Sequence, residues 1–231
     1  MKKNALITTM LFMAATQGYA DGSNNEVRAT MSFDELEYQV DDEAVAWSST
    51  FSVGNDTHQF NVVSEGAHTC DGLDGHELKA YYSKAVSPKV GINLGWRGDL
   101  KPDPSRDWML LGVSWEAPYE IETETSLFIG SSGRSALRLE VARVCEITPV
   151  LTLTPELKAN FYSENDIQTG TGSGLSELEV GVRLAYQASP TFSPYIGVAW
   201  GRPYGKTSDF ARAEGEHGSN SQFLFGFSLE L

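Results

Sequence analysis

The stretch Glu177-Leu178-Glu179-Val180-Gly181-Val182-Arg183-Leu184-Ala185-Tyr186 alternates with a period of two. In an extended chain this puts Leu178, Val180, Val182, Leu184 and Tyr186 on one face and Glu177, Glu179 and Arg183 on the other. Such a strand has an oily side and a charged side. The pattern recurs in segments of about ten residues, the length a tilted strand needs to cross a bilayer. Twelve strands are predicted, near residues 29–39, 44–53, 58–65, 77–86, 89–97, 108–115, 120–130, 136–145, 150–162, 175–187, 192–200 and 222–231. The expected fold is all-β, a transmembrane up-and-down antiparallel β-barrel, and the even count is what a single-chain outer-membrane barrel requires. A water-soluble sandwich allows the same alternation. The hairpin order favours the barrel.

The connections alternate in length. Gly54-Asn55-Asp56, Ser87-Pro88, Ala117-Pro118, Thr148-Pro149 and Ala188-Ser189-Pro190 are tight, and the intervening loops are mostly longer. Short turns belong to the periplasmic side and longer loops to the outside. The first and fourth outer loops, at Asp41-Asp42 and Ser131-Ser132-Gly133, are short exceptions. In the first strand the phase breaks, because Met31 and Phe33 fall on one face and Leu36 and Tyr38 on the other. A bulge near Asp34 reconciles them.

The first twenty residues combine Lys2 and Lys3 with an apolar stretch from Ala5 to Ala15 and small residues at Gly18 and Ala20, the pattern of a signal peptide cleaved after Ala20. The expected organisation is a signal peptide at 1–20, a short acidic stub at 21–27 and the barrel at 28–231. The whole chain carries a formal charge of −14, and cleavage removes Lys2 and Lys3, which takes the mature charge to −16. That acidity disfavours nucleic acid as a partner and suits cations. The mean hydropathy of −0.26 accords with strands that give half their residues to a polar lumen.

The polar phase of four consecutive strands places Glu122 and Glu124, Arg138 and Glu140, Glu156 and Lys158, and Glu177, Glu179 and Arg183 in the lumen. Neighbouring strands lie about 4.8 Å apart, so these nine groups can pair across strands. Two uses are open: a salt-bridge lattice that stiffens a narrow barrel, or a cation path with oxygen ligands. His68, Cys70 and His76 fall in the second external loop and are candidate metal ligands; solvated loop histidines read the same way. His217 lies in another external loop, and His58 beside a periplasmic turn. Cys70 and Cys145 fall at opposite ends of an apolar band about 25 Å tall, too far for a disulfide.

Several ordered stretches together carry a family resemblance. They are Pro104-Ser105-Arg106-Asp107-Trp108 with Leu111-Gly112-Val113 and Ala117-Pro118-Tyr119, then Phe128 through Glu140, Gly170 through Glu177, Pro194-Tyr195-Ile196-Gly197-Val198 and Thr207 through Glu216, with Phe33 through Tyr38 near the start. They resemble the copper resistance protein B family, and the resemblance covers almost the whole mature chain. It implies an outer-membrane protein of copper resistance, with copper ions, outer-membrane lipid and periplasmic copper-resistance proteins as partners. It departs at the amino terminus, where many members carry a Met- and His-rich segment and this chain has the acidic run Asp21–Glu26. After cleavage only Met31 and Met109 remain as thioethers. No Gly-x-Ser-x-Gly motif or nucleophile–base pairing stands out, so no enzymatic activity is expected. The expected function is binding of copper or control of its passage; the alternative is a structural or general small-cation barrel.

Overall fold

The computed structural model describes residues 26–213, 215 and 219–231. The expected signal peptide, most of the acidic stub and His217 lie outside the described residues. Thirteen strand segments close into an antiparallel barrel: β1 (Arg28–Gln39), β2 (Ala44–Gly54), β3 (His58–Thr69), β4 (Gly72–Ser87), β5 (Val90–Lys101), β6 (Arg106–Ala117), β7 (Ile121–Gly130), β8 (Ser135–Ala142), β9 (Cys145–Thr148), β10 (Leu151–Tyr162), β11 (Gly174–Tyr186), β12 (Phe192–Pro203) and β13 (Asn220–Glu230). Each pairs with its neighbour, and β1 pairs with β13 to seal the seam. Since β8 and β9 both run along β10, they are two halves of one stave, and the barrel has twelve. The interruption falls where Pro155 of β10 has no N–H to offer, and only its carbonyl accepts from the Arg143 amide at 3.2 Å.

Alternation decides what faces lipid. Phe51, Ile92, Leu94, Trp96, Val180, Ile196, Val198, Phe223 and Phe225 stand exposed on the outer wall, while their sequence neighbours point into the lumen. Tyr82, Tyr186 and Phe192 are also exposed, near strand ends where amphipathic rings favour the membrane interface. A closed barrel with this outer belt satisfies every strand edge without water, which is what the hydrocarbon region demands. The chain is an outer-membrane β-barrel.

The β1 bulge lies where the phase break puts it, with register shifts against both β2 and β13 between Phe33 and Leu36. It moves Glu35 and Glu37 onto the inward face. The β3–β4 connection differs from expectation. Both strands run on until only Cys70 and Asp71 remain between them, so His68 and His76 are strand residues. Gly72, at a φ of +121°, permits the turn, and the Thr69 hydroxyl accepts from the Asp71 amide at 3.3 Å. The sixth external connection, between β12 and β13, carries a helix, α1 (Gly205–Ala213), that no periodicity announced.

Both cysteines are free thiols, Cys70 exposed at an external turn and Cys145 at the periplasmic end of the eighth stave. A membrane-impermeant maleimide added to intact cells is expected to label Cys70 and leave Cys145 unmodified until the outer membrane is permeabilised. Equal labelling of both in intact cells would refute the orientation.

Candidate functional site: the charged lumen and its two vestibules

Inward-facing positions supply charge from every side of the barrel. Among the described residues, seven buried carboxylates (Glu35, Glu37, Glu65, Glu77, Glu140, Glu156 and Glu179) face five buried cations (Lys79, Arg97, Arg138, Lys158 and Arg183). A buried charge is costly unless paired, and the pairing reaches across the lumen as well as along the wall.

The first cluster centres on Glu77 of β4. Arg138 of β8 donates from both Nη atoms to its two carboxylate oxygens at 2.9 Å each, a fork-to-fork bridge between staves four apart. Arg97 reaches the same carboxylate at 2.8 Å and Asp99 at 2.7 Å, and Trp108 Nε1 donates to Asp99 at 2.8 Å. Both guanidinium groups lie over the Phe128 ring, at 4.5 and 5.6 Å from its centre. Lys79 completes the cluster, 2.7 Å from Glu65 and 3.4 Å from Glu77.

The second cluster centres on Arg183 of β11, which bridges to Glu35 at 2.9 Å and Glu37 at 3.0 Å on β1 and also contacts Glu156 of β10. Tyr195 donates to Glu37 at 3.2 Å. Two glycines make room for this. A Cβ at Gly181 would lie 2.5 Å from Glu156 Oε1, and one at Gly226 would lie 2.6 Å from the Tyr195 hydroxyl. A third set runs along one row, Glu124–Glu140–Lys158–Glu179, through direct register partners on β7, β8, β10 and β11. Lys158 stands 3.8 Å from Glu140.

The nine lumen residues read from the sequence lie on neighbouring strands, and four of them, Glu124, Glu140, Lys158 and Glu179, are direct register partners. Arg183 keeps its contact with Glu156 on the adjacent strand and also reaches Glu35 and Glu37, Arg138 reaches Glu77 across the barrel, and Glu122 and Glu124 line the periplasmic cavity. Sequence reasoning missed Glu35, Glu37, Glu65, Glu77, Lys79, Arg97 and Asp99. The signal was present: Lys79 and Tyr81 share a phase with Glu77, and Glu35 and Glu37 come into phase once the bulge is applied.

Cavities enter from both ends, and among the described residues none lines both. The external one holds about 620 Å³ and is lined by Glu65, Glu77, Arg97, Arg138, Glu177 and further acids including Asp71, Asp74, Asp99 and Glu164. The periplasmic one holds about 210 Å³ and ends on Lys79, Tyr81, Glu122, Glu124 and Glu140. Over the external mouth, the loop between β10 and β11 is fastened by Asp166, which Arg106 and Arg134 hold at 2.8 and 2.7 Å. Burial pushes that carboxyl upward, but the two guanidinium groups prevail and hold it below the usual carboxylate range. The Gly172 amide donates to the Thr207 hydroxyl of α1 at 2.8 Å, stitching the loop to the helix.

The metal-ligand candidates gather at the β3–β4 hairpin. His68 is exposed, Cys70 occupies the turn, and His76 lines the external cavity with Nε2 3.3 Å from the Ser64 hydroxyl and its ring tilted 5.9 Å from Trp47. Among the described residues, no group of three or more His, Cys, Asp or Glu side chains is arranged to hold a metal ion. His58 sits at the opposite rim against the Tyr82 hydroxyl.

A family model described as copper resistance protein B precursor (CopB) matches residues 27–230. A copper resistance protein B homolog of Pseudomonas syringae pv. tomato (strain ATCC BAA-871 / DC3000) is 38% identical over 198 residues, covering 85% of this chain and 67% of that protein. Copper resistance protein B of Escherichia coli is 37% identical over 195 residues, covering 84% of this chain and 66% of that protein. The chain thus spans about two thirds of the length of these relatives. Among solved structures, the NanC porin matches with a TM-score of 0.58 at 14% identity, over 88% of this chain and 100% of that one, a likeness of fold alone. Matched over nearly all of its barrel and by relatives at this identity, the chain belongs to the copper resistance protein B family.

Proposed function

We propose that this barrel contributes to copper resistance by controlling the movement of copper ions across the outer membrane, with the charged lumen as the controlling element. The observation that carries the reading is the acidic excess of the buried lumen, seven carboxylates against five cations, which favours cations over anions. Copper is the cargo here. The external acids Asp71, Asp74, Asp99 and Glu164 concentrate cations at the mouth. Cys70 and His68, two residues apart, offer a soft thiolate and an imidazole for transient capture, with His76 on the cavity wall beside them. The periplasmic cavity is the exchange point with periplasmic copper-resistance proteins. A second reading, a structural or general small-cation barrel without copper specificity, draws on the cross-barrel bridges that stiffen and occlude the lumen.

Replacing Glu122 and Glu124 together by Gln is expected to change copper sensitivity while the barrel still assembles; unchanged tolerance in a correctly inserted double variant would sink the mechanism. Titration of the refolded barrel with copper(I), copper(II) and zinc is expected to give saturable copper-selective heat that weakens in Cys70→Ser or His68→Ala. Flat titrations of folded protein would leave the second reading. Arg138→Met strands the buried Glu77 charge and is expected to cost about 3–5 kcal/mol in urea unfolding.

A further inference from the structure

We propose that Lys79 is the gate of the lumen, the side chain whose ammonium separates the external cavity from the periplasmic one and excludes cations from the junction. The inference rests on the reading that cations traverse this lumen. Lys79 belongs to the wall of the periplasmic cavity, together with Tyr81, Glu124 and Glu140. Its ammonium, however, binds Glu65 and Glu77, which belong to the external cavity. The residue therefore joins the two chambers at the level where neither continues into the other.

The other cations nearby are unsuited to move. Arg138 is fixed by its two-pronged bridge to Glu77 and a further bond to Asn160 at 2.9 Å, and Arg97 is tied to Glu77 and Asp99. Both also lie over Phe128. A rigid guanidinium fork held by several acceptors is a fixture of the wall. Lys79 is different, a compact charge on a flexible four-carbon stem. Its partners are also unequal: Glu65 at 2.7 Å is a firm bond, and Glu77 at 3.4 Å is shared with two arginines. On the periplasmic side Glu124 and Glu140 are direct register partners that face the same cavity, an alternative acidic seat for the ammonium. Swinging between Glu65 and this pair would carry the positive charge out of the junction and leave carboxylates lining it. In the observed position the ammonium faces any cation that descends past Glu65, and repulsion between like charges in a poorly hydrated site is strong.

The test is single-channel recording of the full barrel in planar bilayers bathed in potassium chloride, without copper. Lys79→Ser is expected to raise potassium conductance by roughly tenfold or more, because one like charge is removed from a low-dielectric constriction, and to shift the reversal potential toward greater cation selectivity. Lys79→Arg should stay at the wild-type level. Should Lys79→Ser fail to fold, the charge-balanced pair Lys79→Met with Glu65→Gln takes its place, with conductance raised and selectivity less changed. Wild-type conductance in either folded variant would overturn the gate. Copper tolerance of the same strains reads the copper function separately: a conducting Lys79→Ser barrel with unaltered tolerance upholds the gate and defeats the copper reading.

Discussion

The structure depends on one constraint, that charges enclosed by a narrow barrel must neutralise one another. The outer wall meets lipid and offers no polar partner, so the inward arginines and Lys79 answer to carboxylates on other staves. Glu77 with Arg138, and Arg183 with Glu35 and Glu37, are the results. Each bridge joins strands that share no backbone hydrogen bond, so the polar interior braces the barrel as an apolar core braces a soluble domain. Several glycines follow from the same constraint. Gly181 and Gly226 are bare because Glu156 and Tyr195 need their space to reach across.

Most of the wall was legible in the sequence because period-two alternation is a local property. The run from Glu177 to Tyr186 gives its own lipid face, and the phase break between Phe33 and Leu36 marks the β1 bulge without reference to any partner strand. The lumen network was legible only as a set of inward residues. Which arginine meets which carboxylate depends on the diameter and stagger of the closed barrel, and Arg138 and Glu77, 61 positions apart, share no local signal. Strand ends failed for another reason. Gly66, Gly72 and Gly75 resemble loop punctuation, yet they sit within or beside strands that run to a tight turn, so Glu65 and Glu77 were read as termini. Helix α1 is short and polar, with no apolar stripe to announce it.

The same arrangement links architecture to cargo. Between the residues that line the two chambers lies a layer of ion pairs, Lys79 with Glu65 and Glu77. The external chamber is wide, acidic and partly roofed by a loop pinned at Asp166. The periplasmic chamber is smaller and ends on carboxylates. Acidic side chains line both chambers, and the Lys79 ammonium lies between them. Family membership ties the fold to copper resistance.

The central claim is that the lumen controls copper movement, and the most direct measurement is metal flux into liposomes holding the oriented, refolded barrel. Saturable copper entry that exceeds zinc entry under the same gradient and responds to changes in the lumen charges is expected. Copper entry no faster than into barrel-free liposomes, from vesicles whose barrel is shown to be folded, would contradict it.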